Sequence, residues 1–244
     1  MSVVDDLIAI LKRLRLSGIL QSLDVRTREA ADDSLSHTEF LYRLLQDEVS
    51  RRDQKGLDLR LRRAAFDELK VIEDFDFTFN PRLPKAKLVD LSTGHFIQRH
   101  EAVILVGPTG VGKSHLAQAL GHRACRLGHS VVFTNANEMF VALRAARAEN
   151  GFERRLLRYT SADLLIVDDL GLRPLRGDEP LDLYEIIRQR HHRGATVMTS
   201  NRAIEEWPPL FGDALLASAA MNRLLDGAHV VVLEGASHRK PPQA

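Results

Sequence analysis

The sequence predicts an α/β fold, a five-stranded parallel sheet between two helical layers, preceded by a small all-helical domain. Three observations predict it. From residue 102 onward, short apolar runs alternate with helical patterns, the mark of βαβ units and a sheet covered on both faces. The first run, Ala102-Val103-Ile104-Leu105-Val106, leads directly into a glycine-rich loop and then a helical pattern. Residues 3–75 carry helical spacing and no strand pattern.

In that first part Val4, Leu7, Ile8, Leu11, Leu14 and Leu16 recur at helical spacing, and Ser17-Gly18 marks a stop or kink. A second pattern starts after Asp32-Asp33-Ser34, with Ser36 and Glu39 spaced as a capping box. Its apolar face carries Phe40, Leu41, Leu44, Leu45 and Val49, then Leu57, Leu59, Leu61 and Phe66. The stretch from Arg51 and Arg52 to Lys70 is rich in base. It is either a solvated helix face or a surface for a phosphate backbone. Residues 76–87, with Asn80-Pro81 and Pro84, read as a linker between domains at 1–75 and 88–244. The alternating Phe75, Phe77 and Phe79 either seal the domain junction or contact an adenine ring.

Residues 88–100 read as a helix. Strands are expected at 102–106, 130–133, 163–168, 195–199 and 229–233, with helices at 113–127, 137–159, 179–192 and 213–225. Length leaves ample room for a core. Charged residues at 27% and hydrophobic residues at 44% are a soluble, globular composition. Net charge is only +1, so any nucleic-acid surface must come from local clusters. No apolar run approaches the ~20 residues that span a bilayer. The opening MSVVDDLIAILKRL places acids before its apolar residues, unlike a secretory leader. Cys125 has no partner for an internal disulfide; it reads as a small core residue and fits a reducing cytoplasm.

Gly107-Pro108-Thr109-Gly110-Val111-Gly112-Lys113-Ser114 is G-x-x-x-x-G-K-S, followed by His115. Gly107, Gly110 and Gly112 let the backbone curl its N–H groups toward phosphate oxygens, and the following helix adds the positive end of its dipole. Lys113 is expected to reach the β- and γ-phosphates and Ser114 to ligate magnesium. In Leu164-Leu165-Ile166-Val167-Asp168-Asp169 a buried strand delivers two carboxylates to the same sheet edge. Asp168 is expected to hold the metal and Asp169 to polarise the attacking water. Asn201, at the polar tip of the 195–199 strand, meets the γ-phosphate if that strand lies between the other two; otherwise it is an Asx turn. Arg223 is either a surface arginine or a finger entering a neighbouring subunit's site, and Arg239 is a weaker candidate for the γ-phosphate. Among the histidines no metal-binding helix pair stands out: His191 and His192 are expected on opposite helix sides, leaving magnesium as the metal.

Taken together, GPTGVGKS, LLIVDDLG, TSNR and the late NRLL resemble the DnaC/IstB branch of the AAA+ ATPases. Within it the chain looks like an IstB-like ATP-binding protein, the helper ATPase of insertion-sequence transposition. The likeness runs end to end, from LLQDEVSRRDQKGLDLRLRRAAF and EDFDF to the tail from TSNRAIEEWPP onward. It implies ATP and Mg2+ as cofactors, assembly on duplex DNA as a homo-oligomer, and delivery of that DNA to a partner transposase. It makes Gly107, Gly112, Lys113 and Ser114 the Walker A residues, Asp168 and Asp169 the Walker B acids, Asn201 sensor 1, and Arg223 an arginine finger acting in trans. Asp169 stands where many AAA+ proteins have Glu, which implies slow turnover. The family's S-Y-R ending reads Ser237-His238-Arg239, which puts the role of Arg239 in doubt. Residues 234–244 are too few for a helical lid, which points to subunit contacts through the N-terminal helices. Arg144, Arg147, Arg154, Arg155 and Arg158, between the second and third strands, are either solvated or contact the DNA backbone. A replicative helicase loader related to DnaC and DnaI is the runner-up, and a small-molecule kinase a distant third.

Overall fold

The computed structural model describes residues 3–75 and 84–235. The chain forms two compact units, Met1–Leu59 and Arg60–Ala244.

The first unit is built from α1 (Val3–Arg13), α2 (Ser17–Asp32) and most of α3 (His37–Ala64). Leu11, Ile19, Leu23 and Leu44 are buried together, with Leu16, Leu20 and Phe40 packed against them. Ser17-Gly18, expected to stop or kink a helix, instead opens α2. The reason lies on α3, where the buried Glu48 carboxylate accepts from the N–H groups of Gly18 and Ile19. Those donors of a helix start, which no side chain at Leu16 caps, are thus satisfied by an anion at the positive end of the dipole. A Cβ on Gly18 would lie 2.6 Å from the Glu48 Cα, so the approach requires glycine. The Glu39 N–H donates to Ser36 Oγ at 3.2 Å, as one half of the expected capping box.

Across the same pair of helices, Arg26 Nε and Nη2 each donate to the Asp47 carboxylate at 2.8 Å. Arg26 thereby holds the Asp47 carboxyl down to about 2. A carboxylate whose folded pKa lies below its unfolded value of ~3.9 stabilises the fold above that value, and the benefit is lost as pH falls toward 2. Acid titration followed by circular dichroism should therefore show stability falling between pH ~4 and ~2. Asp47→Asn should flatten that part of the profile, and an unchanged profile would dissociate the pair from stability.

In the second unit β1 (Ala102–Val106), β2 (Val131–Asn135), β3 (Leu164–Asp168), β4 (Ala195–Ser200) and β5 (His229–Val232) form one sheet in the order β2-β3-β4-β1-β5. Every pairing is parallel. Val103, Ile104 and Leu105, and Leu164 through Val167, are fully buried, which is why these strands read as unbroken apolar runs. The covering helices are α4 (Lys85–Ser92), α5 (His95–Gln98), α6 (Lys113–Arg126), α7 (Ala136–Ala148), α8 (Phe152–Thr160), α9 (Glu179–Arg190) and α10 (Ala214–Leu225). Two expected helices are divided. The 88–100 pattern breaks at Gly94, which has φ +83°. The 137–159 pattern breaks where Asn150 adopts φ +55° and the Gly151 N–H closes the end of α7 on Ala146 O at 2.7 Å.

Residues 60–75 belong to the second unit, upstream of where a boundary was expected. Phe66 packs its ring 6.0 Å from that of Phe133, the Glu68 N–H donates to Gln118 Oε1, and Arg60 Nε donates to Cys125 O. Phe77, Phe79 and the rest of the expected linker up to residue 83 lie outside the described residues. Cys125 is fully buried, and burial pushes its thiol up to about 11, as suits an unreactive core residue. Arg190, 2% exposed, donates to Tyr159 O, Ala162 O, Asp163 O, Ala195 O and Thr196 Oγ1. It ties the entries of β3 and β4 together, and burial lowers its pKa to about 10, still charged at neutral pH. No helix among the described residues is long and apolar enough to cross a membrane.

Candidate nucleotide site

The site lies at the exit edge of the sheet, where β1, β3 and β4 end. β4 is inserted between β1 and β3, pairing Val106 with Ser200 on one side and Val167 with Met198 on the other. That order places the tip of β4, and Asn201 just beyond it, at the same sheet edge as the loop and the two acids.

From β1 the chain enters the glycine loop. The Gly107 N–H donates to Ser200 O at 3.2 Å, and a Cβ at Gly107 would sit 2.1 Å from Leu233 O. Gly110 and Gly112 take φ of +87° and +96°. Val111 is buried and anchors the loop, and Gly112 caps α6 without a side-chain hydrogen bond. The first-turn N–H groups of α6 therefore point into the loop, an arrangement that suits an anion. Lys113, 5% exposed, folds back so that Nζ donates to Gly107 O and Pro108 O at 2.8 Å each. Its cation is thus placed inside the loop by the loop's own carbonyls. Pro108 and Thr109 lie between these glycines, and Ser114 sits half-buried on the first turn. His115 follows, its ring edge-on to Phe75 at 5.1 Å with Nε2 3.4 Å from Val71 O. Burial lowers its pKa by disfavouring the charged ring.

At the end of β3, Asp168 is buried and accepts from Thr199 Oγ1 at 2.5 Å. The same hydroxyl accepts from the Asp169 N–H at 2.9 Å. Asp169 takes φ +58°, a left-handed conformation costly for a non-glycine residue. Leu170 N–H to Thr199 O, Ser200 Oγ to Leu170 O and Arg202 Nε to Gly171 O, at 2.9, 2.7 and 2.6 Å, hold that turn against the tip of β4. Asn201 is exposed immediately beyond. A hydroxyl on Ser114 and a carboxylate on Asp168 are hard oxygen donors of the kind magnesium prefers, and the curled loop matches a polyphosphate.

A sequence profile described as IstB-like ATP binding protein matches residues 9–244. The chain belongs to the IstB-like ATP-binding protein family. It is 40% identical over 230 residues, 94% of this chain and 92% of the relative, to a protein of Mycobacterium tuberculosis named as an ATP-binding protein in an insertion sequence. It is 35% identical over 96% of its length, and 88% of the relative's, to the insertion sequence IS21 ATP-binding protein of Pseudomonas aeruginosa. Among solved structures, AMPPCP-bound DnaA from Aquifex aeolicus superposes with a TM-score of 0.59 at 19% identity. That match covers 70% of this chain and 51% of DnaA, and it supports the AAA+ fold.

The remaining candidates of this IstB-like chain lie elsewhere. Arg223, on α10, donates from Nη1 to Ala219 O at 2.9 Å and lies 5.6 Å over the Tyr184 ring. It shares a cavity with Ala102 and Thr196, at the entry ends of β1 and β4. A five-residue strand spans ~16 Å, so Arg223 and the loop of the same chain are at opposite edges of the sheet. In the helical insert, Arg144 lies 3.6 Å from Glu179, and Arg147 pairs with Asp182 and Asp178 at 2.6 and 3.2 Å. Arg154, Arg155 and Arg158 instead line an open cleft beside Gly151. In the first unit Arg51 donates to Ser17 Oγ and Gln21 Oε1, and Arg52 pairs with Glu48 at 2.7 Å. Arg239 lies outside the described residues.

Sequence reasoning missed Thr199, although the polar tip Thr199-Ser200-Asn201 after an apolar strand was the available signal. It also misplaced the histidines. His191 and His192 do not diverge, because α9 ends at Arg190 and His192 turns to φ +57°. Their rings lie side by side, tilted by 40° with centroids 3.8 Å apart. For Thr199, whose hydroxyl bonds both the Asp168 carboxylate and the Asp169 N–H, Thr199→Val should lower ATP turnover ~10–100-fold, the usual range for an outer-shell partner, if Asp168 serves as the metal ligand expected of it. Fluorescent-nucleotide titration should show ATP affinity within about twofold of wild type. Loss of binding in step with turnover would make Thr199 a structural residue only.

Proposed function

We propose that the protein is a DNA-stimulated ATPase that assembles on duplex target DNA and delivers it to a partner transposase, hydrolysis setting the lifetime of the assembly. The observation that carries this reading is the division of the machinery. Lys113, Asp168, Asp169 and Asn201 gather at one edge of the sheet, while Arg223 stands at the other. A site so divided is completed only when a second copy presents its Arg223. ATP bound in the loop then has two roles, as fuel and as an interface component.

In this reading the loop N–H groups and Lys113 bind the triphosphate, and Ser114 and Asp168 hold Mg2+, which neutralises phosphate charge when bound. Asp169 accepts the proton of the attacking water, and Asn201 orients that water against the γ-phosphate. The neighbour's Arg223 stabilises the charge that develops on the transferred phosphoryl group. Phe75, packed beside Gly112, and the His115 ring edge-on to it offer a wall suited to the adenine. Arg154, Arg155 and Arg158, in their cleft, have the chemistry to follow a DNA backbone without reading bases. The buried, unreactive Cys125 suits a cytoplasmic setting.

Steady-state ATPase assays with and without duplex DNA, over a range of salt, test the reading. Duplex DNA should raise turnover, and the stimulation should fade steeply with salt as released counterions compete. Turnover indifferent to DNA, together with monomeric behaviour in ATP, would refute it. Retention of a replicative helicase rather than a transposase in pull-down would reassign the partner.

A further inference from the structure

We infer that His191, His192 and Asp226 form a divalent transition-metal site at the corner where α9 and α10 end, distinct from the magnesium ligands and independent of the proposed nucleotide chemistry. Nε2 of His191 and Nε2 of His192 lie 3.0 and 3.4 Å from the same Asp226 oxygen, Oδ2. One ligand atom from each residue falls within 4.8 Å of the other two. A tetrahedral zinc ion with bonds of ~2.1 Å needs donors ~3.4 Å apart, so the set closes on an ion with small side-chain shifts. Two imidazoles and a carboxylate are the three protein ligands of an open zinc site, the fourth position falling to water.

The surroundings select the class of metal. Arg190 and Arg223 line the adjoining cavity, each committed to carbonyl oxygens. Their positive charge weakens any ion held by electrostatics alone, which disfavours magnesium and calcium. Neutral imidazole nitrogens bind zinc, cobalt or nickel by donation, which that charge opposes less. An ion here joins the turn after α9 to Asp226, the cap that follows α10, about one helical turn from Arg223. The site therefore stiffens the segment that carries this arginine.

The test is titration of the full-length, chelator-treated protein with Co2+, followed by d–d absorption, and with Zn2+ by calorimetry. One ion per chain is expected, with tetrahedral-type cobalt bands and a zinc Kd on the order of 10 µM, as suits three partly exposed ligands. His192→Ala and Asp226→Asn should each weaken binding at least ~10-fold, whereas His129→Ala, a histidine near Asp163, should leave it unchanged. Zinc at about 100 times its Kd should raise Tm on the order of 5 °C in the wild type and not in Asp226→Asn. Binding untouched by both ligand substitutions, binding of Mg2+ as tight as Zn2+, or the absence of one-to-one binding would each overturn the assignment.

Discussion

Lys113→Ala should abolish productive ATP binding. The fold places the Nζ cation at the centre of the loop, held there by Gly107 O and Pro108 O. A charge-assisted bond to phosphate in a partly dry site costs ~2–5 kcal/mol when one partner is removed. At ~3 kcal/mol the affinity falls ~150-fold, and ATP turnover vanishes at ordinary substrate levels. The fold should survive. Loop curvature is set by Gly107 against Leu233 O and by the anchor Val111, both intact in the variant. Nucleotide titration and a thermal melt measure both halves: lost affinity with Tm within a few degrees of wild type is expected. Wild-type affinity would remove Lys113 from the phosphate site.

Arg223→Ala should separate binding from hydrolysis. The side chain stands at the entry edge of the sheet, so its removal leaves the loop, both acids and Asn201 in place. Within its own chain it gives up a bond to Ala219 O and a distant contact with Tyr184, together ~1 kcal/mol on an incompletely buried residue. An arginine finger, by contrast, is worth ~10³–10⁵ in kcat. Turnover should therefore fall ~10³-fold or more while ATP affinity stays within about threefold of wild type. Parallel loss of affinity and stability would show that Arg223 is structural.

Much of the sheet was legible because parallel strands buried on both faces must be apolar throughout. Leu164–Val167 and Val103–Leu105 announce themselves for that reason alone. The phosphate loop was legible because Gly107, Gly110 and Gly112 occupy backbone conformations that few other residues adopt. What escaped depended on partners distant in sequence. Gly18 read as a stop, and only Glu48, thirty residues on, makes it a helix start. Thr199 is one hydroxyl among many until the order β3-β4-β1 brings it to Asp168. His191 and His192 diverge on an ideal helix and converge here because α9 stops one residue before them. Residues 60–75 looked like part of the N-terminal helices, and their attachment to α6 and β2 rests on Phe66, Glu68 and Phe75 finding non-local partners.

The central claim is that each site is completed by a neighbour, and mixing two inactive variants tests it most directly. Asp169→Asn keeps Arg223 but lacks the group proposed to activate water; Arg223→Ala keeps a complete loop and acids but lacks the proposed finger. Combined with ATP and duplex DNA, the pair should recover ATPase activity. It should rise with the fraction of mixed interfaces, to roughly a quarter of wild type at equal amounts if subunits assemble at random. If the mixture stays as inactive as either variant alone while co-assembly is seen, Arg223 does not act in trans and the account fails.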